Sequence, residues 1–126
     1  MKEKKVAGSR RVTNKYFCSI EVAVDCINGK WKPALMYHLM ESPKRFTELC
    51  KLLPQASKKV LAEQLRELES DGLVKREVLD NEVPKGMEYS STEASKELMP
   101  ILKLFHEWGV KQAHRKNIPL KIIVQP

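Results

Sequence analysis

Apolar positions recur at helical spacing over most of this chain, and the pattern breaks in one turn-rich stretch past its middle. Ile20, Ala23, Val24 and Ile27 share one face of a first helix, which Gly29 ends. Pro33 suits the opening turn of a second helix, whose apolar face is Leu35, Met36, Leu39 and Met40. A short third helix is expected to start at Thr47, whose hydroxyl can accept a free backbone N–H, and to stop at Pro54. Gln55-Ala56 makes the turn, and Ser57 is the expected N-cap of a fourth helix. Val60, Leu61, Leu65 and Leu68 are its buried stripe. A rotation of about 100° per residue places Lys59, Ala62, Arg66 and Ser70 on the far side, with Lys58 and Glu63 on the flanks. Gly72 follows, where a left-handed residue is needed to end a helix.

Residues 73–79 carry β-branched side chains in a run too short for another long helix, and residues 80–86 are rich in turn formers. Met87-Glu88-Tyr89-Ser90 returns as the partner strand. Thr92 can cap a helix through Met99, which Pro100 kinks or restarts, and Ile101, Leu102, Phe105, Trp108 and Ala113 continue the helical period. Helix, turn, helix, glycine stop and hairpin, in that order, predict a mainly α fold with a small β-wing (α+β), a winged helix-turn-helix. The helix-turn-helix covers about 47–72 and the wing about 73–91, inside a domain spanning 16–116. Residues 1–15 are expected to be a flexible basic tail and residues 117–126 an apolar one; the 126 residues suffice for a single domain.

Net charge gives a misleading picture until it is divided. Of the formal +7, residues 1–15 supply +5 and residues 111–126 supply +4, which leaves the body at −2. Within the body, residues 42–66 hold six bases against two acids, whereas residues 67–82 hold six acids against two bases. The positive charge therefore lies where a helix-turn-helix would meet phosphate. A recognition helix over about 57–71 would present Ser57, Lys58, Lys59, Ala62 and Arg66 to the major groove of double-stranded DNA. Lys44 and Arg45 are expected on phosphate, and the wing tip from Asn81 to Lys85 in the neighbouring minor groove or on the backbone. The same fold also serves as a protein-interaction module, which stays open as the alternative.

The terminal helix is long for a small domain, and its stripe includes two large aromatics. Ile101, Phe105 and Trp108, with Ile20 and Val24 of the first helix, are the expected interface of a homodimer, against simple packing of the last helix on the first. Trp31 is expected to anchor the core.

Enzyme chemistry finds little support. His38, His106 and His114 are far apart, and the chain has no paired Cys-x-x-Cys or His-x-x-x-His, no glycine-rich phosphate loop and no nucleophile elbow. Neither catalysis, a bound metal nor a cofactor is expected. No secretory leader and no apolar span of membrane length occur, which assigns the chain to the cytoplasm. Its three cysteines are then thiols at rest. Cys26 and Cys50 are expected to be buried, whereas Cys18 stands after the basic tail at the opening of the first helix, a setting that favours a reactive thiol.

Seven strings in order carry a resemblance: Cys18-Ser19-Ile20-Glu21; Asn28-Gly29-Lys30-Trp31; Arg45-Phe46-Thr47-Glu48-Leu49; Leu65-Arg66-Glu67-Leu68-Glu69-Ser70-Asp71-Gly72-Leu73-Val74; Glu82-Val83-Pro84; Glu88-Tyr89-Ser90 with Thr92; and Glu107-Trp108-Gly109. Together they resemble the HxlR-type transcriptional regulators, a MarR-like winged-helix family, over roughly residues 18–109. Ser19 stands where that family usually has proline, and Asn28 where it usually has glycine. The resemblance implies a dimeric, DNA-binding transcription regulator that acts on an inverted-repeat operator and has no enzyme activity. It also implies a role for Cys18, since a cysteine at that position serves some members as a sensor of oxidants or electrophiles. A repressor that responds to a small molecule, with no cysteine switch, is the further alternative.

Overall fold

The computed structural model describes residues 16–81, 83 and 86–120; the expected tail at 1–15, Lys85 of the wing tip and residues 121–126 lie outside them. Along the described chain run α1 (Ser19–Ile27), α2 (Lys32–Glu41), β1 (Lys44–Arg45), α3 (Phe46–Leu52), α4 (Lys58–Ser70), β2 (Val74–Leu79), β3 (Gly86–Ser91) and α5 (Glu93–Arg115). The three strands form one antiparallel sheet in the order β1-β3-β2. Helices α3 and α4 are the helix-turn-helix, and the β2–β3 hairpin is the wing.

The caps explain where α4 begins and ends. Ser57 Oγ accepts a hydrogen bond from the Val60 N–H at 3.1 Å, as the sequence predicts for an N-cap. At the other end Gly72 takes a φ of +76°, and the Leu73 N–H reaches back to the Leu68 carbonyl at 2.9 Å. Thr92 joins the two ends of the wing region. Its hydroxyl accepts from the Ser95 N–H, capping α5, and donates to the Gly72 carbonyl at 2.7 Å.

Three local expectations are corrected. Thr47 does not cap α3; the helix starts one residue earlier, with Arg45 as N-cap, and the Glu48 carboxylate accepts from the Arg45 N–H at 2.8 Å. A carboxylate three residues into the helix satisfies that donor better than a threonine already inside it. Pro100 does not restart α5, which runs unbroken through it. Leu98, Met99 and Leu102, on both sides of the proline, pack on the core, and that burial outweighs the missing backbone hydrogen bond. Cys26 and Cys50 are half-buried rather than buried, each packed at the edge of the core.

The core is built mainly by α2 and α4. Leu35, Met36 and Leu39 meet Leu61, Leu65 and Leu68, with Leu49, Leu53, Leu73, Val74, Tyr89 and Leu102 closing around them. Fully burying one such side chain stabilises by about 1.5–3 kcal/mol. Trp31 is buried among them, as the sequence suggests, whereas Val60 stays partly exposed near the start of α4. Helix α1 contributes no buried residue; only Cys26 and Ile27, near its C-terminal end, touch the core.

Candidate nucleic-acid interface

Burial of Leu61, Leu65 and Leu68 turns the opposite side of α4 outward. Ser57, Lys58, Lys59 and Arg66 are exposed and Ala62 is half-exposed, so the helix shows an unbroken polar and basic face. Asn81 is exposed at the wing tip, and Arg45 is half-buried beside the start of α3.

Lys44 does not join them. It lies in β1, paired with Tyr89, and is buried; its ammonium sits 2.6 Å from Ser42 Oγ and 3.2 Å from Glu41 Oε1. A two-residue strand has no pattern in sequence, so the inward turn of this lysine was not legible, and it is dropped from the contact set.

Where α4 meets the wing, charges of both signs gather. Arg76 Nε lies 3.6 Å from Glu69 Oε1, and Arg76 also contacts Met87 Sδ at 3.5 Å. Burial pushes the Tyr89 hydroxyl above its ordinary value of 10.0; Glu69 adds to this, and Arg76 and Arg66 oppose it. Arg66 is thus close to the wing as well as to the exposed face, at the corner where helix and hairpin converge.

Two contacts fix the pose of α4, and sequence reasoning missed both. The Trp31 N–H donates to Gln64 Oε1 at 2.9 Å, and Lys32 Nζ pairs with Glu67 Oε1 at 2.5 Å. Gly29 allows this close approach, since a Cβ there would stand 3.1 Å from Gln64 Oε1. Gln64 and Glu67 are one helical turn apart on α4, which is the signal for a shared partner; the partner lies more than thirty positions away in the chain.

The remaining sequence candidates lie on another surface. Ile20 on α1 and Ile101, Phe105 and Trp108 on α5 are each more than half exposed, and Val24 is 43 % exposed. Cys18 is the N-cap of α1, exposed and not in a disulfide, with its N–H donated to Glu21 Oε1 at 3.1 Å.

Residues 26–117 match the profile of the HxlR-like helix-turn-helix family. The chain belongs to that family. Among HxlR-like relatives, it is 46 % identical over 113 residues to YkvN of Bacillus subtilis (strain 168), an uncharacterized HTH-type transcriptional regulator, covering 89 % of this chain and 95 % of YkvN. The redox regulator HypR in its reduced form is 44 % identical, with a TM-score of 0.69, covering 75 % of this chain and 92 % of HypR. The reduced form of the transcriptional regulator YodB from B. subtilis is 36 % identical, with a TM-score of 0.63, covering 74 % of this chain and 91 % of YodB; YodB has also been solved with quinone bound. This HxlR-like protein is accordingly a transcriptional regulator of the helix-turn-helix type, and its relatives are regulators rather than enzymes. Among its described residues, no helix is long and apolar enough to cross a membrane.

Proposed function

We propose that this protein binds double-stranded DNA as a homodimer, with α4 in the major groove of each half of an inverted repeat. The observation that carries the reading is the outward face of α4: Ser57, Lys58, Lys59, Ala62 and Arg66 form one polar, basic surface on a helix capped at both ends and anchored in the core. Arg45 is proposed on phosphate, and Asn81 with Lys85 at the wing tip on the adjacent backbone or minor groove. Dimerisation through α1 and α5, using Ile20, Val24, Ile101, Phe105 and Trp108, would set two recognition helices about 34–36 Å apart, one helical turn of DNA.

Fluorescence anisotropy with operator DNA selected from genomic fragments tests the proposal. Affinity should fall steeply with salt, because each neutralised phosphate releases counterions. Lys59→Ala or Arg66→Ala should lose about 1–3 kcal/mol against the preferred base where the side chain reads one, and weaken all sequences alike where it meets phosphate. Binding that ignores salt, or survives the double variant intact, sinks the assignment and leaves the protein-interaction module.

A second reading concerns the signal. Cys18 is exposed at the head of α1, in the helix proposed for the dimer, and two of the similar structures are a redox regulator and a quinone-bound regulator. We infer that oxidation of this thiol by a peroxide, or its addition to a quinone, changes the spacing of the two recognition helices. Wild-type and Cys18→Ser proteins treated with a mild oxidant or a quinone should part company: only the wild type should lose or gain operator affinity. Equal response, or none, removes Cys18 as the switch.

A further inference from the structure

Helices α1, α2 and α5, with the segment that follows α5, enclose a cavity of about 370 Å³ whose wall includes Ile27, Tyr37, Leu102, Phe105, Gly109 and Leu120. A chain reversal completes it. Asn117 adopts a left-handed φ of 56°, and the Ile118 N–H donates to the Ala113 carbonyl at 2.8 Å. That turn closes α5 and brings Leu120 back against the cavity.

Two features of the wall are not explained by the packing of the chain on itself. The Tyr37 hydroxyl is buried without a hydrogen-bond partner, although buried hydroxyls nearly always find one. Gly109 stands inside a 23-residue helix, where glycine is about 1 kcal/mol less favourable than alanine. Yet nothing lies within 4 Å of the place its Cβ would take. Neither a left-handed φ nor a close neighbour requires a glycine there. What its absent side chain preserves is open space beside the cavity.

We propose that this cavity binds a small, flat, mostly apolar molecule carrying one hydrogen-bond acceptor, which takes up the unpaired Tyr37 hydroxyl. The volume falls in the range of small-ligand sites, about 300–1,000 Å³, and suits a substituted benzene ring. A charged ligand would lose its hydration against this apolar wall with nothing to replace it, so a neutral ketone or aldehyde fits best. Burial, with Glu107 adding to it, pushes the Tyr37 hydroxyl above its ordinary value, so it remains a donor at neutral pH. The site does not depend on the DNA reading. Because Phe105 is also half-exposed beside it, a side chain from a second copy is the competing occupant.

The test titrates 4-fluoroacetophenone, a ring with one carbonyl acceptor, against the protein by fluorine NMR, beside 4-fluorotoluene, which has no acceptor. Both should bind, the ketone about five-fold tighter, which is the worth of one neutral hydrogen bond. Tyr37→Phe should erase that preference without lowering thermal stability. Gly109→Leu, which fills the open space, should abolish binding of both while the protein stays folded, and Val110→Trp on the same wall is a second blocking variant. Absence of binding at millimolar ketone overturns the proposal, as does binding that survives both blocking variants. Equal affinity for the two probes overturns the role of Tyr37. If the wild type binds neither probe and Gly109→Leu breaks up a dimer, the cavity belongs to a second copy and the proposal fails.

Discussion

Lys32 Nζ lies 2.5 Å from Glu67 Oε1, and the lysine is almost wholly removed from solvent. The pair ties the first turn of α2 to the C-terminal half of α4. An ion pair of this kind adds little net stability, because desolvation offsets attraction, but removing one partner strands the other charge. Glu67→Ala is therefore expected to destabilise the fold by about 3 kcal/mol, whereas Lys32→Met with Glu67→Leu should stay within about 1 kcal/mol of wild type. Urea unfolding of the three proteins checks this. A small loss in Glu67→Ala would mean that the ammonium finds water or another acceptor.

The two ends of α4 should be separable from its face. Ser57→Ala removes the acceptor for the Val60 N–H and should cost about 1 kcal/mol. Gly72→Ala forces a Cβ into the left-handed region at φ +76° and should cost about 1–2 kcal/mol. Nothing lies within 4 Å of that Cβ, so the loss would be conformational rather than steric crowding by neighbours. The two sites share no partner, so thermal melts should show the effects adding. A neutral Gly72→Ala would contradict the left-handed turn.

These caps also show why so much of the fold was legible. Ser57, Gly72 and Thr92 act on backbone groups two to five residues away, and such short-range chemistry is written in local order. The stripe Leu61, Leu65, Leu68 is likewise local, because helical period alone fixes its direction. From it the outward face of α4, most of the candidate site, could be placed in advance. What escaped were relations between distant segments. Lys44 turns inward because β1 pairs with β3, and Gln64 and Glu67 are held by the turn before α2. Pro100 signalled a break locally, and packing on both of its sides overrode that signal.

Stability should also carry a histidine signature. Burial holds His38 below the ordinary histidine value of 6.5; Glu41 works against that depression and Lys44 adds to it. The unfolded chain therefore binds this proton more readily than the native one. The sign follows: the contribution of His38 is present above pH 6.5 and is lost as pH falls through the lower, native value. Chemical unfolding followed from about pH 7.5 to about pH 5 should show wild type losing more stability than His38→Gln. Parallel curves would mean that His38 titrates alike in both states.

The dimer is the prediction with most consequence for function. Ile101, Phe105 and Trp108 are spaced at i, i+4 and i+7 on α5, so they form one stripe, and each remains more than half exposed. Ile20 and Val24, at i and i+4, do the same on α1. A two-fold interface uses each side chain twice. Burying the exposed half of an aromatic is worth about 1 kcal/mol, so Phe105 and Trp108 together account for about 4 kcal/mol of association, or roughly a thousand-fold in Kd. Phe105→Asp with Trp108→Asp, which adds buried charge to that loss, should turn a dimer at micromolar concentration into a monomer by light scattering. Operator affinity should fall with it, because two tethered recognition helices gain from effective concentration and one does not. A wild-type monomer would remove the dimer altogether. A double variant that stays dimeric would move the interface off this stripe and leave its exposed aromatics to another partner.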